Sequence, residues 1–323
     1  MTQPTHEEQQ DFIYQFTASE SFSGGLGGTC FIARTSGLYR SDDGGATWRS
    51  AYDSLFLQQP LLTTAIAIPP DFEHDASVFA GVGGGILRSE DGGQKWQSVR
   101  IPLPPPIIST LVISPNYTQD GVIFAGTMED GVLFSSDRGY SWTAWNFGLL
   151  DLNILCMALS PDFSIDETLF VGAQSGIFRS TNGGRAWREV DLPFGFDAVL
   201  SLAISPGFAR DGILFAGTET QGLWQSTNGG ESWQLMGGSV FVNPINGIWL
   251  SSELLEQLEI LVLHGGILLA SSDGCHSWQV WQPELMKDRE VTAVLAPLGF
   301  KPGKPMLLGF ADGGTLAVDS QSG

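Results

Sequence analysis

Ser41-Asp42-Asp43-Gly44-Gly45-Ala46-Thr47-Trp48 is one copy of a stretch that returns along the whole chain. The same frame, Ser-x-Asp/Asn-x-Gly-x-x-Trp, runs from Ser89 to Trp96, Ser135 to Trp142, Ser180 to Trp187 and Ser226 to Trp233. A worn copy spans Ser271 to Trp278, with Cys275 in the glycine slot, and a stub, Val318-Asp319-Ser320, lies near the end. The third positions are Asp43, Asp91, Asp137, Asn182, Asn228, Asp273 and Asp319, at gaps of 48, 46, 45, 46, 45 and 46 residues. So regular a period over 323 residues marks a repeat architecture, in which each unit buries its apolar face against its neighbours.

Each copy follows a short apolar run, such as Gly37-Leu38-Tyr39-Arg40 or Gly176-Ile177-Phe178-Arg179, and another strand begins near the Trp. The stretch is therefore a hairpin turn. The Asp or Asn is suited to accept hydrogen bonds from turn amides. The Gly permits a positive φ, and Trp48, Trp96, Trp142, Trp187, Trp233 and Trp278 supply apolar faces that cover the hairpins from outside. These roles are structural.

Upstream of each hairpin the repeats share further parts. An apolar strand (Thr64 to Ile68, Thr110 to Ile113, Leu155 to Leu159, Leu202 to Ile204) leads into a turn of the form Pro-x-Phe/Tyr-x-x-Asp, as in Pro115/Tyr117/Asp120. A second strand follows, for example Ile123-Phe124-Ala125-Gly126. Four strands per repeat of about 45 residues is the blade of a propeller. The expected fold is all-β: a single seven-bladed β-propeller of four-stranded antiparallel blades. Residues 1–10 read as a polar tail, and the repeats span about 11–57, 58–104, 105–150, 151–195, 196–241, 242–285 and 286–323. Ser251 to Leu258 reads as a short helical turn in the sixth repeat. The seventh repeat stops before its fourth strand, and an unpaired edge invites aggregation. Residues near Asp11 to Tyr14 are therefore expected to close the ring as the outer strand of the last blade. Phe12 to Thr17 also reads as the first strand of blade one, and one segment cannot do both; if it closes the ring, Thr17 to Phe22 serves as the inner strand of the first blade instead.

The hairpin signature resembles the Asp-box, or BNR, repeat over about residues 11–323. That repeat occurs in sialidases, oligoxyloglucan-active glycosidases, sortilin-type receptors and photosystem II assembly factors of the Ycf48/HCF136 type. The resemblance implies a β-propeller. It implies no single activity, because function resides in sites rather than folds.

Composition narrows the classes. A formal charge of −20, from 15 Lys+Arg against 35 Asp+Glu, argues against nucleic acid and anionic membranes, which attract basic patches. Cys30, Cys156 and Cys275 are odd in number and lie in three repeats, so no disulfide framework follows. No apolar run is long enough to cross a membrane and no signal peptide precedes Phe12, which leads to the expectation of a cytoplasmic protein without membrane insertion.

Chemistry is sparse. His6, His74, His264 and His276 have no metal-ligand spacing, His264 reads as a turn residue, and no cofactor motif is present. Carboxylates are abundant, with Glu129, Asp130, Glu219 and Asp312 on the loops between second and third strands, but nothing selects the pair a glycosidase needs. Arg100-Ile101-Pro102 resembles the sialidase Arg-Ile-Pro motif but follows the second hairpin instead of preceding the first. The loops joining successive blades are unusually apolar for surface segments. They carry Phe56, Leu57, Leu149, Phe194, Phe196 and Phe241. These residues either form a patch for a protein partner or fold inward over the channel. The expected function is a non-enzymatic interaction or assembly scaffold that binds a protein through this face. The alternative is a glycan-binding or sialidase-type glycoside-hydrolysing propeller.

Overall fold

The computed structural model describes residues 11–25, 27–251, 258–286, 289–301 and 303–318. Among these described residues twenty-seven strands form seven antiparallel sheets arranged as the blades of a propeller. Blade one is typical, with Ile13–Ala18 innermost, then Cys30–Arg34, Gly37–Ser41 and the two-residue outer strand Arg49–Ser50. Blades one to six have four strands each in simple meander order. The last has three among the described residues: Val291–Leu295, Met306–Phe310 and Thr315–Val318. The helical turn expected at Ser251 to Leu258 falls largely outside the described residues. Among the described residues no helix is long and apolar enough to cross a membrane.

The meander puts the box hairpins of blades one to six and the Pro-x-Phe turns of blades two to five at the same end of their blades. The loops between second and third strands, and those joining blades, start from the other. All seven inner strands carry an irregularity of register at the same place. It falls between Ile13 and Gln15, Thr63 and Ala65, Ile154 and Cys156, and at the corresponding steps elsewhere. A bulge bends a strand and raises its twist, which suits a strand lining a narrow axis. Adjacent inner strands are tied by side chains. Thr64 Oγ1 donates to the Ile108 carbonyl at 2.5 Å, Ser201 Oγ to Ile245 at 2.8 Å, and the Ile66 amide donates to Gln15 Oε1 at 3.0 Å.

The ring does not close as expected. Ile13–Ala18 pairs with Cys30–Arg34 as the innermost strand of blade one, not with the outer edge of the last blade. Phe22 is buried in the loop that follows. The reason is packing. Ile13 and Phe16 are buried against Gly309 of the last blade, in one cluster with Cys30, Ile32, Ala293, Leu295 and Leu307. On an outer edge Ile13 would forfeit that burial, worth about 2 kcal/mol for a side chain of its size. Among the described residues the seam between blades seven and one is held by side chains, including Trp48 Nε1, which donates to Thr315 Oγ1 at 3.2 Å.

The four junctions from blade one to blade five share one plan. The second-strand phenylalanines Phe31, Phe79, Phe124 and Phe170 are fully buried. Each meets edge-on the turn aromatic of the following blade: Phe72, Tyr117, Phe163 and Phe208, with ring centroids 5.7 to 6.3 Å apart. Such pairs contribute about 1 kcal/mol beyond their area. The following blade's box glycine closes the other side of the ring. A Cβ at Gly93, Gly184 or Gly230 would lie 2.8 to 3.0 Å from the phenylalanine before it. Positive φ is thus only half of the reason for glycine here. Cys275 adopts the same left-handed φ, +70°, beside Phe215 in a shared cluster.

Candidate functional site

The box hairpins are saturated with internal hydrogen bonds. Ser41 Oγ donates to Asp43 Oδ1 at 2.7 Å and accepts from the Gly45 amide at 2.8 Å. Asp43 also accepts from the Thr47 hydroxyl at 2.6 Å and its amide at 2.9 Å. Asp91, Asp137, Asn182, Asn228 and Asp273 accept in the same way from Ser89, Ser135, Ser180, Ser226 and Ser271. The Thr47 hydroxyl and amide, with Ser41, hold Asp43 down at about 2, and Ser277 with Ser271 holds Asp273 well below the usual carboxylate range. A carboxylate kept ionised and fully bonded is neither a general acid nor a free base.

The tryptophans reach beyond their own hairpins. Trp96 Nε1 donates to the Ala51 carbonyl at 2.7 Å and Trp187 Nε1 to the Trp145 carbonyl at 2.8 Å, each in the blade before. Trp142 Nε1 bonds Gly139 of its own hairpin, and Trp233 and Trp278 have indole N–H groups without partners in the structure. Burial pushes the Cys30, Cys156 and Cys275 thiols up to about 12, which leaves none of them primed as a nucleophile.

The six apolar loop residues divide into two groups. Phe56 and Phe196 are 84% and 82% exposed, and Leu57 is also exposed. Leu149 and Phe241 are buried, and Phe194 packs on Trp224 with centroids 4.7 Å apart. Leu149 and Phe241, buried, and Phe194, half-buried against Trp224, pin the loops while their neighbours project. The pattern extends to other residues of the same apolar loops. Leu103 is 84% exposed and Phe147 78%, and Leu150 and Val242 are exposed too. Five successive blade-to-blade loops therefore each present at least one large apolar side chain. Two of them border equivalent clefts of about 380 Å³. One is lined by Ser36, Gly37, Phe56 and Leu57, the other by Ser175, Gly176, Leu192 and Phe196.

His264, expected in a turn, ends the second strand of blade six and holds one of these loops. Its Nε2 accepts from the Val242 amide at 3.1 Å and the Asn243 amide at 2.9 Å, and its ring meets Phe241 edge-on. Burial lowers its pKa below the usual 6.5. A protonated ring would lose both acceptor bonds. The unfolded chain then binds the proton first, so stability is full above about pH 6.5 and falls as pH drops through the lowered value. The denaturation midpoint is expected to decline between pH 7.5 and 5.5, and His264→Gln, an acceptor that does not titrate, is expected to flatten that decline. Equal slopes for the two proteins would show that this bond pair does not govern it.

A larger cavity, about 600 Å³, opens at the other end of the ring, where the inner strands finish. Thr17, Ile68, Pro69, Ile113, Pro297 and Leu298 are among its walls, and Glu20 is the one carboxylate in its lining. Sequence reasoning pointed to the opposite face and missed it. Arg100 is not there either. It lies at the circumference, bridged through its backbone to Ser141 of the next blade. Among the carboxylates expected on the loop rim, Asp312 is paired with Arg289 at 2.8 Å. Among the described residues no cluster of three or more His, Cys, Asp or Glu is placed to hold a metal.

No protein-family model and no curated protein matches this chain. Solved structures do, at the level of fold. The chain is similar to Ycf48 bound to a D1 peptide, with 16% identity, a TM-score of 0.71, and coverage of 96% of this chain and 94% of that one. It is also similar to the extracellular domain of the one-component system BT4673 from B. thetaiotaomicron, at 15% identity and a TM-score of 0.71. There the match covers 96% of this chain and spans only 38% of that one. An ancestral GH74 enzyme gives 14% identity and a TM-score of 0.73, over 97% of this chain and 45% of its own. At these identities the likeness establishes the propeller and leaves the activity open.

Proposed function

We propose that this seven-bladed propeller is a non-catalytic module that binds a protein partner across its blade-joining loops. The observation that carries the proposal is the exposure of Phe56, Leu103 and Phe196, each more than four-fifths open to solvent in a different loop. Scattered exposed apolar residues are ordinary, but a set repeated loop after loop on one side of the ring is the mark of an interaction face. Large aromatic and aliphatic anchors of this kind dominate binding energy at protein interfaces. A Ycf48 structure of the same fold was solved with a peptide bound, which is in keeping with partner binding. The glycoside-hydrolysing alternative draws on the GH74 likeness and on the channel-mouth cavity. A glycosidase works with two facing carboxylates, and that cavity has Glu20 alone among its lining residues.

The test is affinity capture from the source organism with wild type and a Phe56→Ser/Leu57→Ser/Phe196→Ser variant. The variant is expected to keep the wild-type melting temperature within a few degrees, since all three side chains are exposed, and to lose a partner that wild type retains. The same partner recovered equally by both proteins would refute the assignment of this face. Cleavage of a glycoside substrate by wild type would instead establish the alternative.

A further inference from the structure

One pair of like charges in the propeller lacks the carboxylate that balances its counterpart in another blade. In blade one, Arg40 and Arg49 lie directly opposite each other on adjacent strands. Like charges in that position repel, and Asp42 resolves the conflict. Its carboxylate sits 2.6 Å from Arg40 Nη2 and 2.6 Å from Arg49 Nη2, one oxygen to each. In blade two, Arg88 has Glu90 at the same box position, and the two form an ion pair. Blade four repeats the arginines of blade one without the carboxylate. Arg179 and Arg188 are register partners, and the residue equivalent to Asp42 is Thr181. The next box position, Asp43 in blade one, is Asn182. Both carboxylates of the blade-one box are replaced by neutral groups at the one other place among the described residues where two arginines face each other.

Neither arginine has an acidic partner among the described residues. Arg185 next to them is already paired with Glu167 at 3.0 Å. Arg179 leans on the Phe170 ring, and its Nε is buried without a hydrogen-bond partner. In a chain of net charge −20 the shortage is not of carboxylates in general but at this spot. The pair also borders a cavity of about 480 Å³, lined by Arg179, Arg188, Thr181, Asn182, Trp187 and Phe147. Phe147 comes from the preceding blade. Its carbonyl accepts from the Trp187 amide at 2.9 Å, which fixes the loop at the cavity while the ring stays open to solvent.

We propose that this cavity between blades three and four binds a small organic carboxylate with an apolar body. The carboxylate takes the place that Asp42 fills in blade one. Guanidinium groups match a planar carboxylate through paired N–H donors, and charge-assisted bonds of this kind are among the stronger ones. Thr181 and Asn182 supply neutral donors beside it, and Phe147 covers the apolar portion. Phe147 belongs to a blade-joining loop as well, but the arginine pair lies on the blade-four hairpin, so the site stands whether or not the loop face binds a protein.

The probe is 3-phenylpropionate, titrated into the full chain by calorimetry and by NMR of the tryptophan indole resonances. Its amide, 3-phenylpropanamide, and inorganic phosphate serve as comparisons. Wild type is expected to bind the acid with a roughly millimolar or tighter Kd and to bind the amide and phosphate at least tenfold more weakly. Thr181→Asp restores the blade-one arrangement from within. It is expected to raise the melting temperature and to weaken the acid at least tenfold, because its own carboxylate occupies the place. Arg188→Gln is expected to weaken the acid as well but without that stabilisation. Equal affinity of wild type and Thr181→Asp for the acid would overturn the proposal, as would no saturable binding at tens of millimolar. Phosphate bound as tightly as the acid would overturn the assignment of a carboxylate ligand.

Discussion

Gly139→Ala is expected to destabilise the propeller by about 2 to 5 kcal/mol, the sum of two separate costs. Gly139 has φ +78°, and a left-handed conformation costs a residue with a Cβ about 1 to 2 kcal/mol. The added methyl would also fall well inside van der Waals contact of the Phe79 ring in the preceding blade. Phe79 is fully buried and held edge-on by Tyr117, so it has no room to withdraw, and forced overpacking costs about 1 to 3 kcal/mol more. Gly195→Ala isolates the first cost. Gly195 has φ +73° and nothing within 4 Å of its Cβ direction, so it is expected to lose only about 1 to 2 kcal/mol. Urea denaturation of the two variants checks the difference. Equal losses would mean that the box glycine is required for its backbone conformation alone.

Leu307→Ala is expected to cost a further large amount, about 2 to 5 kcal/mol, and to do so at the seam. Leu307 is fully buried and takes the place at this junction that a phenylalanine takes at others. A Cβ on Gly45 would lie 2.7 Å from its side chain. It belongs to the cluster with Ile13, Phe16 and Leu295 that joins the last blade to the first. Because that joint rests on side chains, a hole in it weakens the whole closure. A thermal melt followed by circular dichroism, with light scattering recorded alongside, is expected to show a lowered transition and early aggregation from the exposed sheet edges. A melt indistinguishable from wild type would mean that the ring is closed by something other than this cluster.

The blade plan was legible in the sequence because its parts are local. Ser41, Asp43, Gly45 and Trp48 lie within eight residues, and their spacing alone implies a hairpin. What each part touches in the neighbouring blade was not legible. The second role of the box glycine depends on a phenylalanine about sixty residues earlier, as Gly139 depends on Phe79. Ring closure failed for a similar reason. Phe12, Ile13 and Tyr14 alternate in a way that suits an outer strand or an inner one. The choice is made by Gly309, a residue near the other end of the chain, which leaves room for Ile13 and Phe16.

The apolar loops were recognised as unusual, but their fate turns on single positions. Phe194 packs under Trp224 while Phe196, two residues on, projects into solvent. Phe241 is buried and Val242 is not. Composition does not distinguish such neighbours. The arginine pair of blade four left a sharper trace. Aligning Arg40-Ser41-Asp42 with Arg179-Ser180-Thr181 shows the missing carboxylate directly. Its meaning depends on knowing that Arg40 and Arg49 stand opposite each other, which is a matter of register.

Blades one to four each present a protruding ring to the next blade, and blades two to five a glycine-floored hollow that receives it, so the contacts run head to tail. Between separate molecules, contacts of that kind either return to their starting point or extend without limit. Here the polypeptide joins the blades in order, and the seam at Leu307 and Gly45 is where the series meets itself. A molecule that opens there bears one free head and one free tail, and each fits the opposite end of another opened molecule. Loss of the seam therefore does more than loosen a monomer. It creates a unit able to grow into chains of its own kind, and early light scattering from Leu307→Ala is the sign by which that growth would be seen.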